Sequence, residues 1–229
     1  MLTGVKDLDF KILNELPDQD LVSVCKTNTA ANKLCDDQSF WLQRIMIKFP
    51  YLGLDVLKKY KQDRTWSQYY IEDLRTIIPS NANDKLKKAV SRSGRLDLVI
   101  IAINNGSDIH ANNDDSLRTA SQYGHLDVVK YLTEQGADIH AKNDQSIRFA
   151  SEEGYLDVVK YLVSQGANIH AQNDESLVWA SAYGHLDIVK YLTEKGADIH
   201  AHNDESLRLA SENGHTDVVK YLLSQGATL

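Results

Sequence analysis

The chain has 229 residues, of which 42% are hydrophobic and 25% charged, and its formal net charge at neutral pH is −7. This balance is typical of globular proteins and excludes disordered and collagen-like chains. The longest apolar run, residues 98–103, is far shorter than the roughly 20 residues of a membrane-spanning helix. Residues 1–7 lack the basic and apolar segments of a signal peptide, so we expect neither membrane insertion nor secretion.

The first fifty residues show a pattern of short amphipathic helices without an internal repeat. The segment 8–13 places its leucines and isoleucine on one helical face, and Leu16-Pro17-Asp18 ends that helix. A second helix continues the apolar stripe from Leu21, and the polar sequence 36–39 caps a third. We therefore predict a helical domain over residues 1–50.

The sequence contains two cysteines, Cys25 and Cys35, and both lie among apolar residues of these helices. Two cysteines are too few for a disulfide framework. We therefore expect reduced thiols that contribute to packing, which suits a location in the reducing cytoplasm.

Residues 51–80 connect this domain to the rest of the chain. They carry apolar residues at helical spacing, which we expect to pack the N-terminal helices against the first repeat rather than to bind a cofactor. These residues are Trp66, Tyr69, Tyr70, Leu74 and Ile77. The sequence 79–84 then marks the boundary at which the connector ends.

The remainder of the chain, residues 81–229, repeats with a period of thirty residues. Each of the four rows that begin at residues 110, 140, 170 and 200 contains Asn-Asp, Ala-Ser, a glycine, a close variant of Asp-Val-Val-Lys-Tyr-Leu, and Gly-Ala. A fixed period of this length indicates a solenoid, so we predict an all-α array of about five repeats. Its rows are the weaker copy 81–109 and then 110–139, 140–169, 170–199 and 200–229.

Each row predicts an inner and an outer helix separated by a turn. In the row that starts at residue 110, Asn113 or Asp114 can cap the inner helix, and Gly124 can end it in a left-handed conformation. Asp127 lies in the first turn of the outer helix, which Gly136 ends. One repeat buries too little apolar surface to fold alone, so neighbouring repeats must cover its flanks.

The segments 124–132 and 136–141 closely resemble the ankyrin repeat, and the match recurs in four rows. The period is thirty residues rather than the roughly 33 of ankyrin, and the missing residues fall where ankyrin has its β-hairpin finger. We therefore expect stunted fingers and almost no strand. This shortened form looks like the ankyrin proteins of amoeba-infecting giant DNA viruses of the mimivirus type. That resemblance implies a protein partner in the host cytoplasm, with the nucleus as the alternative location.

The first fifty residues resemble an F-box. The resemblance rests on segments 7–13 and 16–21, on Val24-Cys25-Lys26 and on Ser39-Phe40-Trp41. It implies docking onto a Skp-type adaptor and thereby onto a cullin ubiquitin ligase. The residues at the matching docking positions are Leu8, Ile12, Leu13, Leu16, Pro17 and Leu21. The alternative is that these helices act only as a cap for the repeat array, whose ends need a cover.

Differences between rows indicate where a target could bind, because scaffold positions repeat and recognition positions vary; unselected drift is the alternative explanation. The chemistry varies most at four columns, of which two lie just before the glycine that ends the inner helix. Interface hot spots favour aromatic residues, which several of these positions carry. The candidate target-binding residues are Tyr123, Phe149, Glu152, Glu153, Trp179, Tyr183, Glu212 and Asn213.

The charge of the chain is unevenly distributed. Residues 1–80 carry 11 basic and 11 acidic side chains, whereas residues 110–229 carry nine basic and eighteen acidic ones. An acidic array repels phosphate backbones, so we expect no nucleic acid as a partner. A basic protein target is favoured instead.

Neither catalysis nor metal binding is predicted. Ser121, His125 and Asp127 are the residue types of a hydrolase triad, but packing and capping in a repeat explain them. The column of histidines at the row starts cannot share a zinc ion, because stacked repeats lie about 8–10 Å apart. We expect no enzyme activity, no cofactor and no metal.

Two functions therefore remain open. The chain is either an adaptor that recruits a protein target to a cullin ubiquitin ligase, or a stand-alone ankyrin module that sequesters a host protein. An adaptor must leave the face formed by residues 8–21 open to its partner, whereas a cap must bury it.

Overall fold

The structure, a computed structural model, describes residues 6–77, 79–91 and 93–228, and the side chains of residues 6–8 and 79 fall outside this description. Its regular elements in the described ranges are sixteen α-helices and two 3₁₀ turns, with no strand. The predicted all-α fold is confirmed. The chain divides into two compact units, Met1–Lys85 with Asp97–Ser107 and Leu86–Leu96 with Asp108–Leu229.

The first unit contains the N-terminal helices and the connector. Its first four helices are α1 Lys6–Glu15, α2 Asp18–Thr27, α3 Thr29–Cys35 and α4 Gln38–Lys48. They are followed by α5 Leu54–Lys61, α6 Trp66–Glu72 and two helices divided between the units, α7 Ala82–Val90 and α8 Leu96–Asn104. The expected breaks are confirmed, because Pro17 precedes α2 and the Asp37 side chain caps α4 by accepting a bond from the Ser39 backbone.

Aromatic side chains fill the core of the first unit. Phe40 contacts both Phe10 and Trp41 edge to face, with ring centroids 5.2 Å apart in each pair. Of the connector residues predicted to pack, all but the partly exposed Trp66 are buried, and the Tyr69 hydroxyl donates to Asp97 at 2.6 Å. Most of the connector's apolar residues therefore belong to the core of the first unit.

The expectation of two reduced cysteines is wrong for this structure. Cys25 and Cys35 form a disulfide, with their Cα atoms 5.9 Å apart. The physical reason is a tight connection at Asn28, whose side chain accepts bonds from the first amides of α3. This connection folds α3 back against α2 and brings the two cysteines together.

The second unit repeats a pair of helices. Its inner helices are α9 Ala111–Gln122, α11 Ala141–Glu152, α13 Glu175–Ala182 and α15 Ala201–Glu212. The outer ones are α10 Leu126–Glu134, α12 Leu156–Ser164, α14 Leu186–Glu194 and α16 Thr216–Gln225. Each repeat buries the same apolar positions completely, such as Leu177, Ala180 and Leu192. These columns form the continuous core that a solenoid requires.

The inner helices begin differently from the sequence prediction. Asn113 and Asp114 do not cap a helix. Together with Asn112 they interrupt α9 near its start, in a left-handed conformation with φ between 54° and 59°. The same three-residue turn recurs at 142–144, 172–174 and 202–204. Asparagine and aspartate tolerate this region better than other residues with a side chain. The left-handed turn occupies the place of the ankyrin finger, so the expected stunted finger is confirmed.

The aspartate of each left-handed turn links the first residue of its repeat to the end of the same repeat. In the row 170–199, the Asp174 carboxylate accepts a bond from the Asp198 backbone amide at 3.1 Å and lies 2.9 Å from Nδ1 of His170. The bonds recur in the other rows, with Thr228 in place of Asp198 in the last. A buried carboxylate must be paired, and these bonds satisfy it. The histidine at the start of each row therefore forms a hydrogen bond with the aspartate of the turn.

Candidate binding surface

Two neighbouring inner helices bring an aromatic and acidic group together at the C-terminal ends of α11 and α13. We name Glu152, Glu153, Trp179 and Tyr183 the inner-helix patch. The rings of Trp179 and Tyr183 lie 6.2 Å apart between centroids, and Tyr183 is 51% exposed. Trp179 and Glu152 are partly exposed, whereas Glu153 is exposed. The patch therefore offers both aromatic rings and carboxylates to a partner.

The electrostatics of the patch centre on Glu152. Burial raises the pKa of its carboxyl group, and the adjacent Glu153 carboxylate raises it further. A hydrogen bond from the Tyr183 hydroxyl and the charge of Arg148 act in the opposite direction.

An arginine column along the inner helices is interrupted in α13. Arg118 donates to Gln145 of the next repeat at 2.7 Å, and Arg148 likewise pairs with Glu175. The corresponding residue of α13 is the buried Val178. As a result α13 has no arginine that could pair with the next repeat. Sequence reasoning missed this substitution, although the column Arg, Arg, Val, Arg is visible in the rows.

The other candidate target-binding residues are more involved in the scaffold. The Tyr123 ring stacks on His125 at 6.2 Å between centroids, and the Asn213 amide donates to the Ala182 carbonyl at 2.7 Å. Glu212 pairs with Arg208 at 3.1 Å. Phe149 lies on α11 and is partly exposed. Among the predicted set, the structure thus brings Trp179 and Tyr183 into direct ring contact.

The predicted docking segment of the first unit is only partly open. Leu13 and Leu21 are 1% and 0% exposed, so their assignment as direct adaptor contacts is corrected: both belong to the core. Ile12 and Leu16 are partly exposed and Pro17 is exposed. The side chain of Leu8 lies outside the described residues. The available docking surface is therefore the turn between α1 and α2.

A fully buried arginine holds this turn in place. Arg44 of α4 donates to the carbonyl oxygens of Leu13, Asn14 and Leu16 at 2.8–3.1 Å and to the Asp18 carboxylate at 2.6 Å. Its Nε also donates to the Tyr70 hydroxyl, which itself donates to Asp18. One guanidinium therefore satisfies the carbonyls at the end of α1 and orients the turn.

The charge of Asp18 depends on this network. Burial alone would raise the pKa of Asp18, but hydrogen bonds from Tyr70 and Arg44 and the charges of Lys48 and Arg44 lower it below its usual value. Burial and the same carboxylate raise the pKa of Tyr70. Asp18 is therefore ionised and Tyr70 neutral near pH 7.

Two other kinds of site are absent from the part of the chain that the structure describes. No group of three or more histidine, cysteine, aspartate or glutamate side chains is arranged there to hold a metal ion. None of the helices described is long and apolar enough to cross a membrane.

The geometry of the second unit defines a helical repeat protein, and comparison with known families gives the class of its repeats. Residues 147–229 match ankyrin repeats in three copies, and residues 117–144 match a single ankyrin repeat. Neither match reaches the residues before 117. No curated protein is similar enough to this chain to count as a relative. Residues 117–144 and 147–229 of the second unit therefore form ankyrin-type repeats, which indicate a protein–protein interaction module.

Proposed function

We propose that the chain is an adaptor that recruits a protein target to a ubiquitin ligase of the Skp–cullin type. The first unit docks onto the Skp-type adaptor through the turn at Leu16 and Pro17. The repeats hold a basic protein target at the inner-helix patch for ubiquitination. The observation that carries the recruiting role is the contact between the partly exposed Trp179 and the exposed Tyr183, on repeats that also present Glu152 and Glu153.

The docking role is supported by the way the turn is built. Pro17 projects from a backbone that Arg44 fixes through bonds to the carbonyls of Leu13, Asn14 and Leu16. A rigid exposed turn loses little conformational entropy when a partner binds it, which favours affinity. The F-box resemblance gives the kind of partner.

The double substitution Leu16→Ala/Pro17→Ala tests the docking role. We expect the wild-type chain to recover a Skp-type adaptor and a cullin in pull-downs, and the double variant to lose most of that recovery. The matched control is Met46→Ala/Ile47→Ala, which truncates two residues of the same unit that are 51% and 56% exposed. If wild type and the Leu16→Ala/Pro17→Ala variant recover the adaptor equally poorly, the ligase function is wrong.

A second function is favoured by the burial of Leu13 and Leu21. If the first unit serves only as a helical cap, the chain is a stand-alone ankyrin module that sequesters a host protein without ubiquitin transfer. In that case the target is captured normally by the Leu16→Ala/Pro17→Ala variant, and its level in cells does not depend on cullin activity.

The recruiting role predicts that Trp179→Ala and Tyr183→Ala each weaken target binding. Truncating a hot-spot aromatic typically costs about 2 kcal/mol, which corresponds to roughly thirtyfold in affinity. Targets captured by the wild-type chain and identified by mass spectrometry would be titrated against each variant. Leu223→Ala, at a residue of α16 that is 47% exposed, is the control. If the variants fold and bind the target with unchanged affinity, the recognition surface lies instead at the turn tips, at Lys142, Gln172 and His202.

A further inference from the structure

An open pocket of about 430 Å³ lies beside the proposed docking turn, within the first unit. It is lined by Pro17, Asp18 and Gln19 from the start of α2 and by Arg75 and Thr76 from the 3₁₀ turn Leu74–Thr76. Because Pro17 is exposed, the pocket borders the surface that the turn offers to the adaptor. A group of the adaptor that reaches past Pro17 therefore enters this pocket.

The guanidinium of Arg75 is the open cation of the pocket. Its Nε donates to the Ile71 carbonyl at 3.0 Å, which holds the side chain in place. Within the described ranges, its two terminal nitrogens have no hydrogen-bond partner, and no carboxylate lies within 4.0 Å of them. The side chain is partly exposed, so these two nitrogens remain available to a group from outside.

The carboxylate that lines the pocket, Asp18, does not neutralise Arg75. One oxygen of Asp18 accepts a bond from Arg44 at 2.6 Å and lies 3.4 Å from the Lys48 ammonium group. A further cation lies beside the pocket, because Lys85 donates to the Thr76 hydroxyl at 3.1 Å. Among the described residues, the charged groups that line the pocket or bond to its lining are one carboxylate and four cations. The pocket therefore has a surplus of positive charge.

We propose that this pocket receives an acidic side chain of the Skp-type adaptor, whose carboxylate is held by the terminal nitrogens of Arg75. This inference rests on the proposed docking function and names the group that the adaptor presents beside Pro17. A carboxylate matches the planar fork of a guanidinium and accepts two parallel hydrogen bonds from it. Gln19, which lines the pocket and is exposed, can donate a further bond through its amide.

The charge of the pocket gives the first unit a selectivity opposite to that of the repeats. Complementary charge chiefly determines which partner binds and how fast it arrives. The pocket at Arg75 attracts an acidic surface, whereas residues 110–229, with nine basic and eighteen acidic side chains, attract a basic one. A basic target is therefore disfavoured at the docking turn, which leaves that turn to the adaptor.

The test measures the affinity of the full chain for a purified Skp-type adaptor by calorimetry, at low and at physiological ionic strength. We expect Arg75→Gln to bind roughly tenfold more weakly, because the loss of a hydrogen bond to a charged group has at least about that effect. The affinity of this variant should also fall less steeply with salt than that of the wild-type chain. The control is Lys33→Gln, which removes an exposed cation from α3 of the same unit and should bind as the wild type does.

A second variant tests the pocket while Arg75 and its bond to Ile71 stay in place. Gln19→Glu adds a carboxylate to the pocket lining, where it can pair with Arg75 and exclude the acidic group of the adaptor. We expect it to weaken binding, whereas Gln43→Glu, the same change at an exposed residue of α4, should not.

The outcomes separate this inference from the docking function. If the wild-type chain binds the adaptor, and Arg75→Gln and Gln19→Glu bind it equally well, the docking function holds and the carboxylate site is wrong. The site is also wrong if Lys33→Gln weakens binding as much as Arg75→Gln does, because the effect is then one of overall charge. A wild-type chain that does not bind the adaptor overturns both proposals.

Discussion

Replacing Arg44 by methionine should destabilise the first unit by about 3–5 kcal/mol, the range found when one partner of a buried charged pair is removed. The substitution leaves Asp18 with one fewer hydrogen bond and three backbone carbonyls without their donor. Unpaired polar groups in a core carry their full desolvation cost. Hydrogen exchange should show lowered protection of α1, α2 and α4, while the amides of α11–α14 serve as the internal reference.

Two further substitutions distinguish the stability that comes from the buried hydrogen bonds of Arg44 from the stability that comes from its charge alone. Arg44→Lys keeps the positive charge but cannot reach three carbonyls and a carboxylate together, so we expect it to remain strongly destabilising. Arg208→Met removes an exposed arginine with two surface ion pairs and should cost less than about 1 kcal/mol. Equal losses for Arg44→Met and Arg208→Met would contradict the role of Arg44 as the clamp of the turn.

The hydrogen bonds between Arg44, Tyr70 and Asp18 also predict how the stability of the first unit changes at low pH. The pKa of Asp18 is lower in the folded chain than the roughly 3.9 of an unperturbed aspartate. Its ionised form therefore stabilises the fold fully above that value, and the contribution is lost as pH falls through the lower folded pKa. In Arg44→Met the carboxylate loses a guanidinium, so the acid-induced loss should begin at higher pH.

The repeat array could be predicted from the sequence because its signals are local and repeated. The period, the apolar stripes and the glycines after each inner helix each point to the same pair of helices, and the structure places helices there. The three residues 112–114 could not be predicted in the same way. Capping rules favour an aspartate at the helix start, but here the Asp114 carboxylate bonds to His110 and to the Asp138 amide, and the second bond depends on a residue 24 positions further along the chain.

The first unit differs from the sequence prediction where contacts between residues far apart in the chain determine the structure. An arginine is ordinarily a surface residue, and nothing near Arg44 in the sequence indicates that four groups of α1 and the following turn converge on it. Leu13 and Leu21 fit a docking pattern equally well on the sequence, yet they face the core. The aromatic positions of the patch were predicted from row differences, whereas the pairing of Arg148 with Glu175 of the next repeat is visible only in the structure.

Substituting Gly184 by alanine should destabilise the repeat array more than the same change at Gly214. Both glycines end an inner helix with a φ of +80°, so an alanine at either one has the same backbone strain of roughly 1–2 kcal/mol. At Gly184 an added Cβ would also lie 2.4 Å from the His215 ring of the next repeat. That ring is held by a 3.0 Å contact between its Nε2 and the Ala182 carbonyl, so it cannot move away freely.

At Gly214 an added Cβ meets no heavy atom within 4 Å, which makes this position a matched control for strain without crowding. Overpacking a well-packed contact costs about 1–3 kcal/mol, and we expect the two variants to differ by that amount in chemical denaturation. In a His215→Ala background the extra loss at Gly184 should disappear, because the crowded ring is gone. If the two glycine variants still differ in stability in this background, the ring contact does not explain the need for glycine. Backbone conformation would then be the only reason for glycine at this position.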